Sequence, residues 1–314
     1  MITIAKNITE ALAAKGEIRA GGTDFQERRR SRVSMGDIVD ITRIPNLDQI
    51  EKQADGSARI GALATVSQVG QHEYLQQHYP ALTLPAQALA TPQIREMASM
   101  GGVLAQRNRC WYYRHPDFEC FKKGGDSCPA REGNHHFGVC FDFGPCAFPH
   151  ASSIGMALLT YDASLSISSG RQMSIKDFFG DGKLASKDNT LDAGEIITHI
   201  HLPSPIVMEK AAYFRLMSRE WAEWPLVEVA VRLVLDGERI KEAKVAVGGV
   251  ANIPFRLFDV ERALLGQTVS SAIFTAAAQL ATKNANPLPQ TQYKVAMVER
   301  SVLNALEMAV GARE

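Results

Sequence analysis

"EIRAGGTDF", Glu17 to Phe25, runs a short apolar-polar alternation into two adjacent glycines and a threonine. The pattern predicts a strand that ends in a glycine turn. Consecutive glycines let neighbouring backbone N–H groups point into one concavity, and such a nest holds phosphate oxygens. Thr23 adds a hydroxyl donor. A tight turn without a ligand has the same sequence, so these residues alone leave both readings open. Neither the G-x-G-x-x-G fingerprint nor a P-loop with its Lys-Ser/Thr is present. "SMGGVLAQ", Ser99 to Gln106, is a second glycine pair beside a hydroxyl residue. Two such turns in one α/β region can assemble a pyrophosphate site from two loops. A helix end closed by glycine is the alternative.

Around these turns the chain reads as α/β. "ITEALAAKG" predicts a short helix with a glycine stop, and "GDIVDITRI" a buried strand. "ARIGALATVSQVGQH" suggests a strand followed by a helix. "ALTLPAQALATPQIREMASMGGVLAQ" reads as mostly helical, interrupted at Pro85 and Pro92 and broken at Gly101-Gly102. Further on, a helix precedes strands joined by a Ser-Ser-Gly-Arg turn, and "EIITHIHLP" is a strand closing on proline. "SPIVMEK" is a linker. The last hundred residues carry "AAYFRL", then "LVEVAVRLVLDGERIKEAKVAVGGV" as two strands about an Asp-Gly turn, then two helices. Strands first and helices after make an α+β domain. The expected boundary lies near residue 207.

The composition sets limits. Lys plus Arg and Asp plus Glu both total 34, so the formal charge is zero and no global field favours nucleic acid. "ERRRSR", Glu27 to Arg32, is the local exception and reads as a solvated helix face. No window approaches the 18 or more apolar residues of a membrane span. The N-terminus lacks the features of a signal peptide. Cytoplasm is therefore the expectation, and periplasm only if a signal-bearing partner exports the chain.

All five cysteines lie between Cys110 and Cys146, at successive spacings of ten, eight, twelve and six. An odd number of thiols without a signal peptide argues against a disulfide framework. No Cys-x-x-Cys pair exists, so zinc-ribbon and bacterial ferredoxin spacings both fail. Four thiolates from separated loop positions can still meet at one point. The same window holds His115, His135, His136 and His150. A [4Fe–4S] cluster, a zinc ion and incidental thiols all remain open on residue types. Cys110, Cys120 and Cys128 belong to each favoured ligand set, while Cys140 and Cys146 compete for the fourth place.

"AGGTDF", "DIVDITRIPNL", "RIGALATVSQV", "PQIREMASMGG" and "GGVANIPFR" are similar, in this order, to the FAD-binding medium subunit of the molybdenum hydroxylases, the xanthine dehydrogenase and carbon monoxide dehydrogenase flavoproteins. The resemblance runs from about residue 8 to residue 305. "RCWYYR", "FEC", "KGGDSC" and "FGPC" resemble a narrower branch: the flavin subunits of 4-hydroxybenzoyl-CoA reductase and the bacterial periplasmic aldehyde oxidoreductase. That branch carries a [4Fe–4S] cluster in an insertion. The implied fold is α+β: a two-lobed PCMH-type FAD-binding domain over 1–207 and an α+β domain like the carbon monoxide dehydrogenase flavoprotein C-terminal domain over 208–314. The lobes are 1–51 and 52–207, with the cysteine-rich insertion at 107–150.

The resemblance implies Cys110, Cys120, Cys128 and Cys146 as cluster ligands, with Cys140 left as a small apolar residue. It implies an FAD pyrophosphate on Arg19, Ala20, Gly21, Gly22, Thr23, Asp24 and Phe25, with Ser99, Gly101, Gly102 and Val103 as the second wall. Leu191 falls near the flavin ring system, and Arg215 where relatives often place a lysine near the flavin. Val103 stands where relatives read asparagine, and Ser153 where they read aspartate, both cofactor-bonding positions. The phosphate loop is intact, and FAD is the expected cofactor. The implied function is electron transfer between the [2Fe–2S] clusters of a small partner subunit and an external acceptor or donor. A large molybdenum-cofactor subunit would perform the substrate chemistry, so no catalytic acid or base is expected here. A flavin-free cluster scaffold, and then a zinc-stabilised binding module, are the alternatives.

Overall fold

The computed structural model describes residues 1–219 and 223–312. Among the described residues the strands form three sheets. In the first, β1 (Ile2–Ile4) and β2 (Glu17–Arg19) flank β3 (Ile38–Asp40), all parallel. β3 is the central strand and is buried along its length, which suits Ile38 and Val39, while its buried Asp40 is paired with Arg19 and Thr42. The second sheet has the order β4 (Ile50–Lys52), β5 (Ala58–Gly61), β8 (Ile197–Leu202), β6 (Ser164–Ile167), β7 (Gln172–Ser174), and every pair is antiparallel. β4, which spans the expected lobe junction at 51/52, pairs with β5.

Helices cover this second sheet because their ends are locally encoded. Thr65 and Gln68 form a reciprocal capping box before the helix Val66–Gln71. Pro80 and Pro92 stand at the first helical positions of Pro80–Ala88 and Pro92–Met97, where a missing N–H costs nothing. Pro92 therefore starts a helix, and Pro85 lies inside one. Gly101-Gly102 also differs from expectation. The pair sits inside the helix Met100–Ala105, because the Ser99 hydroxyl accepts the Gly102 N–H at 3.3 Å and caps its start.

Residues 203–208 lead without regular structure to the third sheet, β9 (Glu209–Met217), β10 (Pro225–Asp236), β11 (Arg239–Gly248) and β12 (Phe255–Arg256), in the order β12-β11-β10-β9. β10 and β11 turn at Asp236-Gly237, with Gly237 at φ +59°, as the Asp-Gly signal requires. Valines 227, 229 and 231 of β10 are fully buried in a core shared with the long helix Tyr293–Ala309, and valines 245 and 247 of β11 complete that core, with the helix Phe258–Leu264 packed on β11. The opposite face of β10 and β11 places Ala230 and Ala246 against the core of the preceding domain. β10 is consequently buried on both faces. No helix among the described residues is long and apolar enough to cross a membrane.

Candidate functional site

The first glycine turn follows β2. A Cβ built on Gly21 would run into the Met97 carbonyl oxygen, so only glycine lets the two backbones touch. Gly22 has φ +75°, the left-handed region. Thr23 is exposed. The contact brings the first turn to the residues just before Ser99. Gly21 and Ser99 share a groove of about 470 Å³ with Thr42, Arg43, Thr65 and Gln68. Gly101 packs against Ala62, which leaves no room for a side chain. The two turns are thus apposed, as a two-loop phosphate site needs, while Val103 is buried in its helix and lies off the groove.

Asp24 has a different environment. Its carboxylate meets Arg109 at 2.5 Å, Arg114 at 2.6 Å and Arg28 at 3.0 Å, and it also accepts the Arg107 N–H. Burial pushes its pKa up, but the Arg109 and Arg114 charges outweigh that and hold it at about 2. Glu27 joins the same two arginines. The basic run is therefore not a simple solvated face: Arg28 is buried and paired with Glu17 and Asp24, and Arg29 donates to the Gly36 carbonyl. The reason is non-local. Arg109 and Arg114 come from the cysteine-rich insertion and draw the acidic side of this helix onto it. Phe25 is buried under Arg28 and Arg29, and Arg19 pairs with Asp40.

Ser153 is buried in the first turn of the helix Ser153–Leu159, beside the wholly buried Glu228. Burial raises the Glu228 pKa, although the Tyr213 hydroxyl donates to its Oε2 at 2.8 Å. Arg215, cross-strand from Glu228, donates to the carbonyls of Ala88 and Glu223, and its buried Nε has no partner among the described residues. Leu191 packs against the core of the first domain. The structure thus gathers Ser153 and Arg215 around Glu228, a residue the sequence did not single out.

Cys110, Cys120, Cys128 and Cys146 line one small cavity, walled by Tyr113 and Phe148. Local chemistry holds the loop open. The Cys120 carbonyl accepts the N–H groups of Lys123 and Gly125, with Gly124 at φ +92° between them. Pro129 starts a short helix directly after Cys128, and Arg131 ties that helix to Asp142 at 2.6 and 3.0 Å. Burial pushes the Cys110 thiol up to about 12 and the Cys146 thiol to about 11. Cys140 lies elsewhere, in the C-terminal core, with its N–H on the Val250 carbonyl. None of the four histidines of the window lines the cavity. His135 is engaged through both ring nitrogens, with Ala130 and Gln290, and His136 stacks on Tyr293. Among the described residues no three His, Cys, Asp or Glu side chains converge closely enough to hold a single ion.

Three polar residues missing from the sequence reading stand at this cavity. Asn108 and Lys122 line it, and Asp188 pairs with Lys122 at 2.8 Å. Burial raises the Asp188 pKa, but Lys122 and Arg107 bring it below the usual carboxylate range.

His150 gives a test of the buried polar layer. Its Nδ1 accepts the Ser152 N–H, its ring edge meets Phe179, and burial pushes its pKa down to about 4. The unfolded chain binds this proton near pH 6.5 and the folded chain near 4, so acidification through that window favours unfolding. The linked loss is about 3 kcal/mol at roughly 1.4 kcal/mol per unit. Urea midpoints at pH 7 and 4.5 should converge in His150→Gln relative to the parent chain, and an unchanged difference would assign the acid sensitivity elsewhere.

Apposed glycine turns, a thiol-lined cavity and an α+β second domain describe a class of redox subunit. Residues 2–205 match the FAD binding domain in molybdopterin dehydrogenase, and residues 212–309 the CO dehydrogenase flavoprotein C-terminal domain. The chain belongs to the FAD-binding subunits of the molybdopterin dehydrogenases, and is an oxidoreductase subunit. It is 28% identical to the aldehyde oxidoreductase FAD-binding subunit PaoB of Escherichia coli K12, covering 92% of this chain and 90% of that one. The carbon monoxide dehydrogenase medium chain of Hydrogenophaga pseudoflava is 23% identical, over 97% of this chain and 94% of its own. A solved structure of carbon monoxide dehydrogenase from that organism shares the fold, with TM-score 0.77, 21% identity and coverage of 100% and 98%.

Proposed function

We propose that this chain, as domains 1–207 and 208–314, carries FAD at the two glycine turns and a [4Fe–4S] cluster on Cys110, Cys120, Cys128 and Cys146. It passes electrons between the [2Fe–2S] clusters of a small partner subunit and an external acceptor or donor. A large molybdenum-cofactor subunit performs the substrate chemistry. The observation that carries the cluster is the cavity itself: four of five thiols line it, and Cys140 and every histidine of the window do not. Thiolates of that number, in a largely apolar wall, are the donor set an iron–sulfur group takes. When bound, the flavin supplies exchange between one-electron and two-electron partners. Gly21, Gly22, Thr23 and Ser99 would hold its phosphates, and Arg215 and Leu191 would lie on the ring side.

A specific observation favours a second reading, a flavin-free cluster scaffold. Asp24 is fully engaged by arginines, and Val103 and Ser153 replace two polar contacts and are buried. Acid precipitation of the purified chain separates the two. A yellow supernatant with a flavin spectrum is expected, and a colourless one assigns the scaffold role. Iron and acid-labile sulfide in equal amounts are expected, whereas zinc without sulfide overturns the cluster.

A further inference from the structure

The thiol cavity has one polar wall, built from residues far apart in sequence. Asn108, 1% exposed, makes three contacts there. Its Oδ1 accepts the Cys110 N–H at 3.1 Å, and its Nδ2 donates toward Cys146 Sγ at 3.7 Å and Asp188 Oδ1 at 3.4 Å. Asp188 sits between Lys122 at 2.8 Å and Arg107 at 2.6 Å, with its side chain and that of Lys122 at 2% and 5% exposure. One amide therefore touches the first and last cysteines and fixes them to the buried Asp188–Lys122 pair, with the half-buried Arg107 on its other side. The network also dictates which way the amide points. Turned over, its oxygen would face the Asp188 carboxylate and its NH₂ the Cys110 N–H.

A donor on a ligand sulfur stabilises the more negative state of an iron–sulfur group, and so does a buried cation; a carboxylate does the reverse. We propose that Asn108, oriented by Asp188, is a positioning residue that raises the electron affinity of the cluster at Cys110, Cys120, Cys128 and Cys146. Lys122 acts in the same direction through its charge, and Asp188 opposes both. This rests on the cluster reading above. The event governed is uptake of one electron from a one-electron donor, which makes the cluster one unit more negative, with no bond made or broken.

The test is a dithionite potentiometric titration of the purified chain, followed by electron paramagnetic resonance. Asn108→Leu and Lys122→Gln should each lower the reduced-to-oxidised ratio at fixed potential about tenfold, a downward shift of about 59 mV for a one-electron couple. Asp188→Asn keeps an acceptor for Asn108 but removes the charge, and should shift the midpoint upward. A merely structural role would not give opposite signs. If Asn108→Leu assembles no cluster, Asn108→Ser, which stays polar but is too short to reach Cys146 Sγ, should lower the midpoint in its place, and an unmoved midpoint there overturns the role of Asn108. Unmoved midpoints, or shifts all of one sign, in loaded variants overturn the proposal and leave the cluster reading standing. Wild-type chain without iron and sulfide overturns both.

Discussion

Cys146→Ser should reduce the iron and acid-labile sulfide of the purified chain to background, while Cys140→Ser leaves both at the parent level. The two thiols are six residues apart in a single loop, and spacing does not separate them. Their surroundings do. Cys146 shares its cavity with Cys110, Cys120 and Cys128, and Asn108 donates to its sulfur. Cys140 is fully buried among the apolar residues that pack β10 and β11 onto the long C-terminal helix. Burial keeps both thiols protonated, to about 11 in each case, so the metal-free chain does not distinguish them. Iron does, because binding displaces the proton only where other thiolates share the metal. Serine at 140 exchanges a weakly polar thiol for a hydroxyl in an apolar site, at a cost of roughly 1–3 kcal/mol. Cys140→Ser should therefore unfold at lower urea yet still carry the cluster. Loss of iron from Cys140→Ser with retention in Cys146→Ser would reverse the ligand assignment.

Those features that depend on neighbours in sequence were legible before the structure. The Asp236-Gly237 hairpin, the strand into Gly21-Gly22 and the strand followed by a helix within "ARIGALATVSQVGQH" all follow from local rules, and each is where the pattern places it, while the Thr65 cap of that helix came only with the structure. Gly101-Gly102 misled because a glycine pair signals a break unless something caps and encloses it. Ser99 and Ala62 do so here. The helix Phe258–Leu264 carried no strong start signal and gained its place by packing on β11. At the site, the cysteine window was plain and the arginine network was not. Arg28 looks solvated until Arg109 and Arg114 arrive from some eighty residues away. Asp188 had no motif at all. It becomes meaningful only when folding sets it between Lys122 and Arg107, since a buried charge requires partners that composition cannot name.

Gly21→Ala should cost about 3 kcal/mol of stability and remove the flavin, a larger effect than the same change at its neighbour. The new methyl group would meet the Met97 carbonyl, which is backbone and cannot swing aside. The peptide that follows Met97 is anchored twice: the Ala98 N–H donates to the Ile94 carbonyl at 2.8 Å, and the Ala98 carbonyl accepts the Val66 N–H at 2.9 Å. Relief must come from separating the two glycine turns, and overpacking of this kind costs about 1–3 kcal/mol. Separation also pulls Gly21 away from Ser99, so the groove that should hold the pyrophosphate loses its two-sided geometry. Gly22→Ala is the control. Its φ of +75° strains an alanine by about 1–2 kcal/mol, but its nearest neighbour is a flexible Gln26 carbon at 3.6 Å, and the turns stay together. Urea midpoints and released flavin measured on both variants separate strain from geometry. Retention of flavin in Gly21→Ala would show that the cofactor does not depend on the apposed turns. Loss of stability in a chain that never held flavin would leave the apposition intact as architecture and restrict the proposed electron transfer to the cysteine cavity.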